Sequence, residues 1–139
     1  IVNAQKSNTP VDQNKSVTRI VFDRTIESLS FTVTDIDSAS NDYRDAVAVT
    51  AVPATGTVSG TITDPTVVAG SGTLTAPWAT PGFNTAVATA SNNGNVAVSL
   101  SNVTGFDLHY WNTTAAFNKN TDGNQSIWLS NLKITYRAC

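Results

Sequence analysis

Apolar and polar residues alternate along most of this chain with a period of two, the repeat of a strand that buries one face. The clearest stretch is SLSFTVTD at 28–35, where Leu29, Phe31 and Val33 share one face and Ser28, Ser30, Thr32 and Thr34 the other. VTRIVFD at 17–23 precedes it as a separate strand. DAVAVTAV at 45–52 aligns Val47, Val49 and Ala51, and GTVSGTIT at 56–63 follows, weakened by Gly60. NTAVATA (84–90) and NVAVSLS (95–101) flank SNNG, whose Asn-Gly tolerates the positive φ of a tight turn and predicts a hairpin. In GFDLHYW (105–111), Phe106, Leu108 and Tyr110 face inward, which sends His109 and Trp111 outward. In the last segment, SIWLSNLKITYRA (126–138), Ile127 and Leu129 share one parity while Leu132, Ile134 and Tyr136 share the opposite one. A bulge near Ser130-Asn131 restores a single inward face, because one extra residue shifts the register.

Residues 1–16 are polar and read as a lead-in strand or a linker. Residues 64–82 carry Pro65, Gly70, Gly72, Pro77, Pro81 and Gly82 and predict a long surface excursion. No long window repeats its apolar residues every 3.6 positions. Many short strands separated by turn signals predict an all-β fold, a two-layer antiparallel β-sandwich. A jelly-roll-like arrangement is the first choice and an immunoglobulin-like one the alternative. The 139 residues fit one domain.

Composition narrows the setting. Only 13% of residues are charged and the net charge is −2, so no basic patch exists to attract nucleic acid. No run approaches the ~20 apolar residues of a membrane span. Met is absent, which reads as a mature or excised piece of a longer polypeptide. The single cysteine, Cys139, forbids an internal disulfide. It is either an ordinary thiol or half of a cystine whose partner lies in a neighbouring domain.

Candidate chemistry concentrates in two places. The loop between the strands at 28–35 and 45–52 holds Asp35, Asp37, Asp42 and Asp45 against a single Arg44. Hard cations such as Ca2+ take six to eight oxygens, so these four carboxylates are candidate calcium ligands. The simpler alternative is that Asp and Asn cap turns, with Arg44 neutralising one carboxylate through a bidentate contact. The spacing does not match an EF-hand loop. A second polar loop, 118–125, places Asn120, Asp122 and Asn124 at alternate positions, a turn or a weaker metal candidate. The outward aromatics form the other place. Trp111 and Trp128 offer flat surfaces for a sugar ring, with His109, Asn112 and Asp107 beside Trp111 as hydrogen-bonding groups. The alternative is that these indoles are packed under residues 64–82. His109 is the only histidine, and no Gly-x-Ser-x-Gly elbow, zinc cluster or phosphate loop accompanies it. The chain is therefore expected not to be an enzyme. Lys133 is expected outward, which argues against an isopeptide cross-link.

SLSFTVTDID, YRDAVAV and IWLSNLKITYRA together resemble the β-sandwich domains of large bacterial cell-surface, adhesin-like proteins. The resemblance covers both ends of the chain and leaves 53–95 outside it. It implies a secreted or surface-anchored, non-catalytic role, with Asp35, Asp37, Tyr43 and Asp45 organising a loop. The leading expectation is an adhesion module for a carbohydrate or a host or surface protein. The alternatives are a structural stalk or fibre unit, and a carbohydrate-binding accessory domain of a secreted enzyme.

Overall fold

The strands run further without interruption than the turn signals suggest. The computed structural model describes residues 2–4, 15–88, 90–113 and 125–136. Its strands are β1 (Val2–Ala4), β2 (Ser16–Thr34), β3 (Ser38–Ala39), β4 (Tyr43–Val52), β5 (Thr57–Ile62), β6 (Trp78–Ala79), β7 (Val96–Asn112), β8 (Ser126–Leu129) and β9 (Lys133–Thr135). The described residues contain no helix, so nothing among them could cross a membrane as one. The sheet runs β1-β8-β2-β7-β4-β3, with β5 also on β7, β6 on β4 and β9 on β2. Every pair is antiparallel.

The expected two-layer antiparallel architecture is present, and it is made by bending. Residues 17–23 and 28–35 are not separate strands but parts of β2, and 95–101 and 105–111 join in β7. β2 and β7 pair along both halves: 16–21 lie opposite 105–110, and 26–33 opposite 96–103, with a register shift between Val21 and Ile26. The other edge of β7 takes β4 along 105–112 and β5 along 96–101. Three corners therefore fall at one level: 22–25 in β2, 102–104 in β7 and 53–56 between β4 and β5. At the β7 corner Asn102 adopts φ 56°, a conformation that Asn tolerates better than most residues. The corners fold the curled sheet over itself. Phe31 from one half stacks on Phe106 from the other, with ring centroids 4.9 Å apart.

The core between the halves contains Leu29, Val33, Val47, Val49, Val98, Leu108, Tyr110 and Ile127. Residues 64–82 are not only a surface excursion. Val68 and Trp78 from this segment are fully buried in that core. Trp78 explains why β5 carries a glycine on its inward face. A Cβ on Gly60 would lie 2.0 Å from Trp78 Cζ2, and one on Gly72 would lie 2.3 Å from the same atom. The indole occupies the space that both side chains would need.

The predicted bulge at the C-terminal strand is present. β8 pairs Val33 with Leu129, while β9 pairs Leu29 with Ile134, so one extra residue enters between them. Ile134 thereby returns to the inward face, although at the sheet edge it stays 40% exposed.

The predicted hairpin of 84–90 with 95–101 does not form. Residues 84–88 are not a strand, because both flanks of 96–101 are already filled by β2 and β5. The amides of Thr85 and Val87 turn instead to Ser38 Oγ and Asp37 Oδ2. The loop at 118–124 and Cys139 lie outside the described residues.

Gly60→Ala should destabilise the fold by about 1–3 kcal/mol through overpacking against Trp78. Urea denaturation reads this as a lower midpoint at unchanged slope.

Candidate functional site

The acidic loop is a compact hairpin. β3 pairs with the start of β4, with Ser38 opposite Arg44 and Ala39 opposite Tyr43. Asp42 N–H closes the turn on Ala39 O at 3.1 Å, and Asn41 takes φ 59°. Inside it Asp37 and Asp45 are buried together. Asp45 Oδ1 accepts from Tyr110 Oη at 2.8 Å, and its Oδ2 from Asp37 N–H at 3.1 Å. Asp37 Oδ1 accepts from Tyr43 Oη at 2.8 Å, and its Oδ2 from Val87 N–H at 3.1 Å. Gln125 adds a side-chain hydrogen bond to Asp45. Burial outweighs these donors and raises both carboxyls, Asp45 well above the ordinary carboxylate range. Arg44 does not neutralise either of them as expected. Its Nε donates to Thr80 O at 2.7 Å, its Nη1 to Thr113 Oγ1 at 3.1 Å, and it lies over the Phe83 ring. The four aspartates are thus dispersed: Asp37 and Asp45 in the network, Asp42 in the turn and Asp35 elsewhere. Among the described residues no group of three or more His, Cys, Asp or Glu side chains could hold a metal ion.

His109 and Trp111 were expected to point outward, with Asn112 beside them, either as an open sugar platform or packed under residues 64–82. His109 and Trp111 do have the parity opposite to Tyr110, and Asn112 shares that of Tyr110, but all three are buried. Trp111 is only 5% exposed and packs on Ala46 and Ala48, whose small side chains leave room for a flat ring, with Lys15 Nζ 5.3 Å above it. His109 Nε2 meets Thr50 Oγ1 at 3.0 Å. Asn112 Oδ1 accepts from Arg44 N–H at 3.0 Å. Asp107, on the same face as His109 and Trp111, is bound by Arg19 through two contacts of 2.7 Å. This face is cross-linked structure rather than a platform.

Trp128 behaves differently. It is 45% exposed and lies opposite Thr34 on the outer face of the other half. Asp35 joins it because of backbone conformation. Continued alternation would point Asp35 away from Thr34 and into the core. Its φ of 70° breaks that alternation, and Ile36 becomes the next fully buried residue. Asp35 is half-buried and hydrogen-bonded to the Trp128 side chain, whose only donor is the indole N–H. Burial raises its carboxyl, and this hydrogen bond opposes the rise. Thr34, Asp35, Ser91 and Trp128 line a shallow cavity of ≈ 260 Å³. One member of each predicted set therefore meets in a place that neither set anticipated.

Next to this cavity the outer face is paved with hydroxyls. Strand pairing aligns Thr57, Ser101, Ser28 and Thr135 in one row across β5, β7, β2 and β9. The next row is Ser59, Ser99, Ser30 and Lys133. The third is Thr61, Ala97 and Thr32, continued by Ser130, whose Oγ accepts from Thr32 N–H at 2.9 Å. All are at least partly open to solvent. Neighbours within a row stand about 4.8 Å apart, the spacing of hydrogen-bonded strands. Over β2 lies a trough of ≈ 480 Å³, lined by Ser30, Thr32, Ser99, Ser130, Asn131 and Lys133 among others. The alternation of 28–34 signalled these hydroxyls, but the rows needed the pairing of strands far apart in sequence.

Comparison with known proteins adds no relative: no family model, curated protein or solved structure matches the chain.

The buried carboxyls set a pH dependence. With its folded pKa raised, Asp45 favours the folded state fully below about pH 4, its unfolded value, and that contribution is lost as pH rises toward the folded value. His109 works oppositely, because burial lowers its pKa and stability falls as the pH drops below about 6.5. Asp45→Asn removes only the first effect. The melting temperature of the variant minus that of the wild type should grow as the pH rises from about 4 toward the folded value of Asp45 and level off above it, whatever its offset. A difference independent of pH would mean that Asp45 ionises as freely as in the unfolded chain.

Proposed function

We propose that this chain is a non-catalytic carbohydrate-binding module that works outside the cell, as an adhesive or anchoring unit of a larger surface protein. The observation that carries this is the Trp128 indole, held half-exposed beside Asp35 in a cavity completed by Thr34 and Ser91. A flat aromatic surface accepts the C–H face of a pyranose. The carboxylate and hydroxyls beside it can accept and donate hydrogen bonds at the ring's edge, the few placed polar groups that give such sites specificity. The indole N–H is already engaged by Asp35, so binding leaves no buried donor unpaired.

The buried aspartates support a binding rather than a catalytic role. Asp37 and Asp45 are surrounded by donors from their own chain, so neither is presented to a ligand. The Ser- and Thr-rich, Lys-poor outer face and the resemblance to bacterial surface domains fit an extracellular setting.

Affinity electrophoresis through gels containing polysaccharides tests the proposal. Trp128→Ala should weaken retardation at least about tenfold, a loss of 1.4 kcal/mol, while stability stays within about 0.5 kcal/mol of the wild type. Trp111→Ala should do the reverse in its first effect, costing about 3–5 kcal/mol of stability because its ring is buried. Retardation unchanged by loss of the Trp128 ring would remove the proposed site.

A further inference from the structure

The cavity at Trp128 and the hydroxyl trough follow one another along a single strand. Both lie along β2 on one face: the first holds Thr34, the second Thr32 and Ser30. These three residues alternate along a single strand and form a continuous floor. Trp128, Ser130 and Lys133 rise on one side and Ser99 on the other, with Ser91 at the Trp128 end. From Ser30 to Thr34 the floor runs roughly 13 Å, the length of a short run of linked sugars and more than one ring can cover.

Its charge also constrains the occupant. Asp35 stands at one end and Lys133 at the other, with neutral hydroxyl and amide groups between. A chain with a charge on every unit would be repelled at one end of this groove. A neutral one meets a hydrogen-bonding group at each step. Ser and Thr have little side-chain entropy to lose on binding, and β2 already fixes their positions.

We infer that the ligand is an extended, neutral polysaccharide chain lying along β2, with one sugar stacked on Trp128 and the following ones over Thr32 and Ser30 toward Lys133. This rests on the carbohydrate-binding proposal and gives it a chain length, a direction and a charge class.

Titration calorimetry of the full chain with cello- and chito-oligosaccharide ladders provides the test. Affinity should rise at least about tenfold from disaccharide to the length that fills both cavities, and then level off. The double substitution Ser30→Ala, Lys133→Gln should erase that gain and leave disaccharide affinity unchanged. Trp128→Ala should weaken every length. A length gain that survives the double substitution, or affinity equal for all lengths, overturns the extended-chain inference while sugar binding at Trp128 stands. Tighter binding of polygalacturonate than of either neutral ladder overturns the charge class. No heat with any ladder, and no dependence on Trp128, overturns the carbohydrate proposal itself.

Discussion

A strand of 19 residues is too long to bury its inner face against one flat partner layer. At about 3.3 Å per residue it would extend some 60 Å, well beyond a small domain. β2 and its partners β7 and β4–β5 meet this constraint by turning together at one level. The rest of the structure depends on that shared bend. It brings Phe31 over Phe106, closes the core, and gives each ribbon one half on each layer. It also divides the outer surface into two faces of different character. One is cross-linked by Arg19–Asp107, His109–Thr50 and the packed Trp111. The other carries hydroxyl rows and the exposed Trp128.

The bend explains what could be read from sequence. Inward parity was legible throughout, since Leu29, Phe31, Val33, Phe106, Leu108 and Tyr110 are all buried. The bulge near Ser130 was legible for the same reason, because a change of parity within one apolar series requires an extra residue. What failed was inference about partners. Residues 84–90 alternate well enough for a strand, yet the neighbour they needed was already flanked on both sides. Outward parity also did not decide exposure. Trp111 does point away from the core, but Ala46 and Ala48 provide a flat bed for it. Small residues on an adjacent strand, paired only in the folded sheet, are a faint local signal.

The candidate site was half legible. Asp35 and Trp128 were each singled out, one as a metal ligand and one as a sugar platform. Their meeting depends on a single left-handed residue at the end of β2 and on β8 pairing across more than ninety positions. Of Asp35, Asp37, Tyr43 and Asp45, expected to organise the loop, Asp37, Tyr43 and Asp45 share its hydrogen-bond network and Asp35 does not. The donors to Asp37 and Asp45 come from Tyr43, Val87, Tyr110 and Gln125, however, which no local pattern brings together. Arg44, the nearest cation in sequence, ties the hairpin to Thr80 and Thr113 instead.

The pairing of β2 with β7 has a kinetic side. Ser16 bonds to Tyr110 across 94 residues, and no short hairpin joins the two ribbons on which all else is built. Loop closure must be met before any of that pairing is rewarded. Such a topology belongs with slow folders, in the millisecond-to-second range. While the chain waits, its alternating segments offer unpaired edges to their neighbours. The many Ser and Thr on their outer parity then act as a safeguard, keeping one side of each wandering strand wet and poorly suited to dry stacking.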